Sequence, residues 1–174
     1  MVPQLETERL ILREFDYKDV EDLYEYCKDE EVTKFVGVDT YENIETAQDR
    51  IDFLKAQYAQ ESKLCWAIEE RKNKKVIGSV DLFNICYEKN MGEIGYMLNR
   101  SYWNKGYMTE AVNRVLKFGF EDIGLREIIG KCIVSNISSQ RVLEKVGMKD
   151  DGILEEIDLN GIFYKQKQYS INFK

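Results

Sequence analysis

The residues with the most evident chemical potential form a short polar loop between an apolar strand and a long helix. The loop begins at Trp103, and the helix begins near Tyr107. The first N–H groups of a helix, together with its dipole, attract anions such as phosphates. Gly106 lets the backbone approach a ligand closely, and Asn104 tolerates the left-handed conformation that such loops need. We therefore expect an anion site built from Trp103, Asn104, Lys105, Gly106, Tyr107, Met108 and Thr109.

The same loop is also compatible with an ordinary connection between a strand and a helix. It contains neither the Gly-Lys-Ser/Thr ending of a Walker loop nor the three spaced glycines of a dinucleotide-binding turn. From the residues alone, both interpretations stay open.

The complete absence of histidine limits the chemistry of this chain. It excludes Ser-His-Asp and Cys-His catalysis, histidine bases and histidine-containing zinc sites, and we expect no metal centre. The four cysteines are widely spaced and form no Cys-x-x-Cys pair, so we expect free, buried thiols. The chemistry therefore falls to carboxylates, hydroxyls, backbone amides or a cofactor.

Length and charge further restrict the class of protein. The 174 residues suffice for one core, and we expect a single domain over residues 1–174. No apolar run reaches the roughly 18 to 20 residues of a membrane-spanning helix, and the acidic N-terminus differs from a signal peptide, so we expect a cytoplasmic protein without a membrane partner. The net charge of −7 argues against a nucleic-acid partner. It mildly favours a cationic substrate, although it could equally serve solubility.

Hydrophobic periodicity predicts the elements that position the loop. A strand near Leu10 is followed by a helix after Asp16 and by a second helix between Ile44 and Tyr58. Three strands follow, the last over Met91–Leu98, and then the strongly amphipathic helix that the loop enters. A strand, a short helix and a two-stranded hairpin complete the chain. The predicted order β-α-α-β-β-β-α-β-α-β-β describes a mixed α/β domain with one central sheet, antiparallel in its first half.

Several motifs occur together along the chain: Glu6–Arg13, Glu93–Tyr96, Tyr102–Ala111, Asn136–Gly147 and the turn Asn160–Gly161. In combination, order and spacing they resemble the GNAT acetyltransferases, and within them the RimJ/RimL-like branch that acetylates the N-termini of ribosomal proteins. The resemblance covers essentially the whole chain. It implies the α/β (α+β) GNAT fold, in which a central mixed, mostly antiparallel sheet carries helices on both faces.

The resemblance implies acetyl-CoA as the cosubstrate. In the family, loop amides corresponding to Trp103–Thr109 hold the coenzyme pyrophosphate. The pantetheine arm pairs like an extra strand with Met97 and Leu98. Asn136 resembles the residue that hydrogen-bonds this arm, although it could also cap the next helix. The loop departs from the family at Met108, where a small residue is usual, and we expect this side chain to lie in the core.

The resemblance also implies how the acetyl group is transferred. Amine attack on a thioester needs a neutral amine, a donor for the oxyanion and a proton for the thiolate. A backbone N–H near Leu98 would bind the oxyanion. Ser139 resembles the hydroxyl that protonates the thiolate; alternatively, it is an ordinary first-turn helix serine. Without histidine, the base is a carboxylate or a water chain ending on one, and the candidates, each otherwise a solvated strand charge, are Glu93, Glu156 and Asp158.

Three hypotheses on the acceptor stay open. The RimJ/RimL resemblance implies an N-acetyltransferase that acts on the N-terminal α-amino group of a ribosomal or other protein. The same enzyme class could instead act on a small amine such as a polyamine, an aminoglycoside or an amino acid. A third hypothesis is a CoA-binding module that has lost turnover. Homodimerisation is a further implication of the family.

Overall fold

Alternating apolar residues form a single eight-stranded sheet within residues 2–58, 64–159 and 161–173, which the computed structural model describes. Successive side chains of a strand face opposite sides, so every second residue is directed at the same layer of helices. The strands are β1 (Leu5–Glu6), β2 (Leu10–Arg13), β3 (Leu64–Glu70), β4 (Lys75–Cys86), β5 (Met91–Leu98), β6 (Glu127–Ile133), β7 (Lys149–Leu159) and β8 (Ile162–Asn172).

Five α-helices in these ranges connect the strands: α1 (Val20–Cys27), α2 (Glu30–Thr33), α3 (Ile44–Gln57), α4 (Tyr107–Glu121) and α5 (Ile137–Lys145). Two 3₁₀ turns, Tyr17–Asp19 and Arg100–Tyr102, precede α1 and α4. Among these helices, none is both long and apolar enough to cross a membrane.

The predicted order of elements is confirmed, with two additions. The two-residue strand β1 and the four-residue helix α2 were not expected, because neither is long enough to show a hydrophobic period. The predicted start before α1 is also present, since the Asp16 N–H donates to the Asp19 carboxylate at 2.8 Å. Of the predicted hairpin turn, Gly161 has a φ of 80°, whereas Asn160 lies outside the described residues.

The sheet is antiparallel except at one pair of strands. Its order is β1-β2-β3-β4-β5-β6-β8-β7, and among the described strands only β5 and β6 run parallel. Helix α4 provides the crossover connection that parallel neighbours require. The mixed sheet with an antiparallel first half is therefore confirmed, and the only parallel pair flanks the loop that the sequence analysis singled out.

Helices cover both faces of the sheet. On one face, α4 and α5 pack closely enough that a Cβ added to Gly119 would lie 2.7 Å from Ile128, and one added to Gly130 would lie 2.8 Å from Leu143. Helices α1 and α3 pack together on the opposite face, against β4. Trp66 of β3 is fully buried and meets Phe118 of α4 edge to face, with ring centroids 5.7 Å apart. This packing fixes the position of α4 relative to the parallel strands.

Candidate active site

The parallel strands β5 and β6 separate towards their C-terminal ends. Their ladder runs from Met91 and Glu127 only as far as Ile94 and Gly130. Beyond that point β5 continues along β4 to Leu98, and β6 continues along β8 to Ile133. The gap between the two strands therefore widens into a wedge. Beyond Ile94, the peptide groups on the edge of β5 that faces β6 are not paired with β6.

The end of β5 directs its backbone groups into this wedge. The Asn99 N–H donates to the Ile77 carbonyl at 2.7 Å, which places Asn99 and Met97 in the hydrogen-bonded pairs with β4. By alternation, the N–H and C=O groups of Tyr96 and Leu98 are directed away from β4. The indole Nε1 of Trp103 donates to the Leu98 carbonyl at 2.7 Å. The Leu98 N–H, the predicted oxyanion donor, thus borders the wedge.

The loop before α4 has the geometry of an anion site. Asn104 adopts the expected left-handed conformation, with a φ of 59°, and Gly106 follows with a φ of 79°. Within the described part of the chain, no side chain caps the helix. Because the first intrahelical bond runs from the Glu110 N–H to the Gly106 carbonyl, at 3.1 Å, the preceding N–H groups of α4 remain directed at the loop.

The side chain of Met108 lies in the core, as expected. Only 4% of the residue is exposed, and it belongs to the apolar stripe that α4 presents to the sheet. Its buried side chain therefore does not crowd the loop, although Met108 is among the residues that border the cavity beside the wedge. The family departure at this position leaves the anion site accessible.

Glu110 ties the loop to the N-terminal segment. Its carboxylate accepts from Thr7 Oγ1 and from Arg9 Nε, each at 2.6 Å, while Arg9 also donates to the Lys105 carbonyl at 3.0 Å. Burial alone would raise the pKa of Glu110, but these hydrogen bonds hold it below its usual value. These hydrogen bonds were not predicted from the sequence. The residues that they join are about a hundred positions apart and share no periodic signal.

Helix α5 borders the other side of the wedge. Asn136 caps it, since its Oδ1 accepts from the Ser139 N–H at 3.1 Å, so the capping interpretation is confirmed. The phenol oxygen of Tyr96 lies 2.9 Å from Ser139 Oγ and donates to the Ser139 carbonyl at 3.1 Å. The thiol of Cys132 is also within hydrogen-bonding reach of Ser139, and burial raises its pKa to about 11. Tyr96 and Cys132 were not among the predicted site residues.

A cavity of about 350 Å³ follows the wedge and the loop. It brings together most of the residues predicted to bind the coenzyme. Lys105 lies in the loop but not on the cavity wall, because its Nζ donates to the Ser101 carbonyl at 2.9 Å. The cavity is lined by α2 and the segment after it, by the end of β5, by the loop and by the start of α5. The lining residues that were predicted to bind the coenzyme are Met97, Leu98, Trp103, Asn104, Gly106, Tyr107, Met108, Thr109, Asn136 and Ser139.

None of the three predicted carboxylates belongs to the described cavity wall. Glu93 lies on β5, where its side chain is 12% exposed and pairs with Lys131 at 3.1 Å. Glu156 and Asp158 are exposed on the β7–β8 hairpin, and Asp158 accepts from the Gly161 N–H at 2.7 Å. If any of them acts as the base, it does so through water.

The cavity wall suits a phosphorylated coenzyme with an extended amide arm. Arg141 and Lys145 of α5 line it near the start of α4, so two cations and a row of N–H groups are available to phosphates. The wedge offers peptide groups of β5 to the arm. The spacing of Arg141 and Lys145, one helical turn apart, was the signal in the sequence that could have revealed this pair.

A split parallel pair of strands beside a helix start suited to anions agrees with the coenzyme-dependent acyltransferase fold that the sequence motifs resemble. A family model described as an acetyltransferase (GNAT) domain matches residues 9–149, and the chain belongs to that family. Over 172 residues it is 33% identical to the uncharacterized N-acetyltransferase YoaA of Bacillus subtilis (strain 168), covering 98% of this chain and 97% of YoaA.

Solved structures agree with this assignment. The GNAT-family acetyltransferase from Bacillus anthracis superimposes with a TM-score of 0.84 at 27% identity, covering 98% of both chains. The microcin C7 self-immunity acetyltransferase MccE, in complex with acetyl-CoA and AMP, gives a TM-score of 0.85 at 26% identity and covers 96% of this chain and 94% of MccE. The present chain is thus an N-acetyltransferase that uses acetyl-CoA.

Proposed function

We propose that the enzyme transfers the acetyl group to the N-terminal α-amino group of a polypeptide. The motifs that resemble the RimJ/RimL-like branch support this acceptor class. The observation that carries the proposal is the charge of the cavity wall. Among the described residues that line the cavity, Glu31 is the only carboxylate, and it already pairs with Lys34 at 2.7 Å.

This charge distribution suits an acceptor with one amino group. A polyamine carries several positive charges and needs several carboxylates to replace its hydration. Among the described residues of the cavity wall, the acceptor is left with the Glu31–Lys34 pair and no unpaired carboxylate, since Arg141 and Lys145 serve the coenzyme phosphates. A polypeptide N-terminus brings one amine, and the remaining backbone can bind by hydrogen bonds and apolar contacts.

The wall next to α2 provides such apolar contacts. Val32, Phe35 and Val36 line the cavity together with the loop residues. The β7–β8 hairpin reaches this segment, because Tyr164 meets Phe35 edge to face with centroids 6.3 Å apart. The coenzyme would occupy the loop side, so an acceptor chain would enter between α2 and the hairpin.

The chain offers a group for each chemical requirement of the transfer. We propose that the Leu98 N–H binds the developing oxyanion and that Ser139 gives a proton to the departing thiolate. We propose Glu93 as the base, acting through water, since it lies on the strand that ends at the cavity. On its own face of β5, only Gly95 separates it from Met97, which lines the cavity.

A small-molecule amine is the second candidate acceptor. The similarity to MccE supports this candidate, because the MccE structure contains a small anionic molecule, AMP, besides acetyl-CoA. In contrast to a polyamine, a compound with one amine and an anionic group would also suit the cations of the cavity wall.

A thiol-release assay with acetyl-CoA tests these alternatives together. The panel contains peptides with free N-termini, the same peptides with blocked N-termini, spermidine, an aminoglycoside and free amino acids. We expect release with the free peptides and none with the blocked ones, even when they contain lysine. Turnover confined to spermidine or to small amines would overturn the polypeptide proposal.

Thermal denaturation separates an inactive module from an enzyme without its acceptor. Coenzyme at about 100 times its Kd should stabilise the protein by about 2.7 kcal/mol. Stabilisation combined with no thiol release across the whole panel would favour the module. Release with any amine rules the module out.

A further inference from the structure

Tyr96 makes a contact across the wedge that the transfer reaction described so far does not use. The side chain starts from β5 and reaches the first turn of α5, where its hydroxyl lies 2.9 Å from Ser139 Oγ and 3.1 Å from the Ser139 carbonyl. Both residues line the cavity. Strand β5 and helix α5, which border the wedge on its two sides, are thus joined at Ser139.

The surroundings of Ser139 limit the direction of its own proton. A serine hydroxyl donates one hydrogen bond and accepts up to two. The phenol oxygen of Tyr96 lies 2.9 Å from Oγ, where either group can donate, and 3.1 Å from the Ser139 carbonyl, while the Ser139 N–H is already taken by Asn136. When the phenol turns its single proton from the carbonyl to Oγ, the serine proton is free to point into the cavity.

We propose that Tyr96 is a positioning residue that keeps the Ser139 hydroxyl turned towards the cavity as a proton donor for the CoA thiolate. The inference deepens the proposed role of Ser139 and rests on it. It does not depend on which amine is the acceptor, because the thiolate leaves in the same way from every acetyl transfer.

Bonds, electrons and protons balance in this step. The acceptor ammonium first loses one proton through water to Glu93. The amine nitrogen forms a bond to the acetyl carbon, and the C–S bond breaks with its electron pair remaining on sulfur. Sulfur takes the proton of Ser139 Oγ, and the proton that the nitrogen loses after its attack restores the hydroxyl through the water of the cavity. Tyr96 keeps its own proton and turns it from the Ser139 carbonyl to Oγ while charge develops there.

The properties of the phenol agree with a permanent donor. Burial raises the pKa of Tyr96 well above its usual value, and the hydrogen bond with Ser139 opposes this only in part. The group therefore stays protonated throughout the neutral and mildly alkaline range. A side chain that merely filled space in this position would not need its hydroxyl.

The test compares Tyr96→Phe with Tyr169→Phe. Tyr169 is a matched control, because it is buried near α5 and donates to Gln140, the residue next to Ser139, at 3.2 Å. With the best acceptor of the panel, we expect Y96F to lower kcat by about tenfold or more, the value of one well-placed hydrogen bond. The KM for acetyl-CoA should stay within about twofold, and Y169F should leave both constants nearly unchanged.

The serine itself provides the second arm. If Tyr96 acts only through Ser139, then Y96F causes no further loss of kcat in a Ser139→Ala background. A purely structural role would make the two losses multiply. Multiplying losses, an unchanged kcat in Y96F or an equal loss in Y169F would each overturn the proposal.

Should Y96F prove unstable, 3,5-difluorotyrosine at position 96 keeps both the shape and the hydroxyl. This residue ionises at lower pH than tyrosine, so kcat should fall at alkaline pH where the wild-type enzyme keeps its activity. A wild-type pH profile for the fluorinated enzyme would also contradict the proposal. Acetyl-CoA binding, followed by thermal shift, shows in every variant that the site is still formed.

Discussion

In a chain without histidine, the proton released by the acceptor amine has few places to go. Glu93 lies on the strand that leads to the cavity, and its carboxylate is held by Lys131 at 3.1 Å and by Asn84 Nδ2 at 3.2 Å. A carboxylate fixed in this way can end a chain of water molecules without touching the amine. As the proposed base, Glu93 would stay on the protein scaffold and leave the cavity free for two substrates.

We therefore expect Glu93→Gln to lower kcat at neutral pH by roughly 10²-fold or more, because an amide cannot accept the proton. Steady-state kinetics between pH 7 and 9 measure the effect. Lys131→Met is the control, since it removes the ion pair but retains the carboxylate. Glu156→Gln and Asp158→Asn, on the exposed hairpin, should turn over normally. Unchanged kinetics in Glu93→Gln would remove this residue as the base.

Substitution of Gly106 by alanine tests the anion site, because it adds a single Cβ atom there. The φ of 79° at Gly106 suits glycine, so Gly106→Ala should cost about 1 to 2 kcal/mol of stability. Gly124 has a similar φ of 84° and lies outside the cavity wall, so Gly124→Ala should cost as much. We expect only Gly106→Ala to raise the KM for acetyl-CoA, by about tenfold, because the methyl group stands at the N-terminal end of α4.

Denaturation midpoints and the KM values of both variants check this expectation. The comparison separates backbone strain, which the two substitutions share, from ligand exclusion, which belongs to the loop. Equal KM values in the two variants would show that the start of α4 does not approach the coenzyme.

At the scale of elements, we expect the cap of α5 to affect both the stability of the fold and the position of Ser139. Asn136→Ala removes the acceptor for the Ser139 N–H and should cost about 1 kcal/mol. Asn43 caps α3 in the same way, since its Oδ1 accepts from the Thr46 N–H at 3.0 Å, but it lies outside the described cavity wall. Asn43→Ala should therefore lose similar stability and keep its activity.

For Asn136→Ala we expect kcat to fall by about tenfold in addition, because the first turn of α5 carries Ser139 into the wedge. Urea denaturation measures the first effect and thiol release the second. If both variants lose stability and both keep full kcat, the cap has no part in placing the serine.

The elements that position the site were predictable where the hydrophobic period is long. Helix α4 buries all of its predicted stripe, including Met108 and Gly119, and β5 has the predicted ends Met91 and Leu98. Asn104 could be assigned its left-handed conformation because few residue types tolerate it. In these cases the determining interactions are local, so one sequence is enough.

Contacts between distant segments could not be predicted in this way. The pairs Arg9–Glu110 and Tyr96–Ser139 join residues 101 and 43 positions apart, and their geometry depends on the completed sheet. The spacing of Arg141 and Lys145 indicates a pair on one helix face, but its place on the cavity wall is fixed only when α5 docks beside the wedge. The family resemblance identified the loop and Asn136, but not the residues that hold them.

At the scale of the whole molecule, the pattern of ionisable groups predicts how stability depends on pH. Hydrogen bonds to cations or to backbone N–H groups lower the pKa of several carboxyls, among them Glu6, Asp16, Glu25, Glu31 and Asp150. Burial raises the pKa of several thiols and phenols, among them Tyr26, Cys27, Tyr41, Tyr58 and Cys132. No side chain with an ordinary pKa near 6.5 lies between the two groups, because histidine is absent.

The sign of each contribution follows from proton linkage. A carboxyl with a lowered pKa stabilises the fold above its unfolded pKa, and this stability is lost as the pH falls through the folded value. A thiol such as Cys27, whose pKa rises from 9.0 to about 12, stabilises the fold below pH 9, and this contribution is lost as the pH rises towards 12. Stability should therefore be flat between about pH 6 and 8 and fall on both sides.

Thermal midpoints from about pH 4 to 11 at constant ionic strength measure this profile. Cys27→Val supplies the internal control, because it removes one buried thiol. The fall of stability at alkaline pH should then be less steep, by the contribution of one titrating proton. Asp150→Asn, at an exposed carboxyl with a lowered pKa, should act on the acid side alone. A thermal midpoint with a single sharp maximum near pH 6.5 would contradict this account. So would a slope of the midpoint at alkaline pH that Cys27→Val does not change.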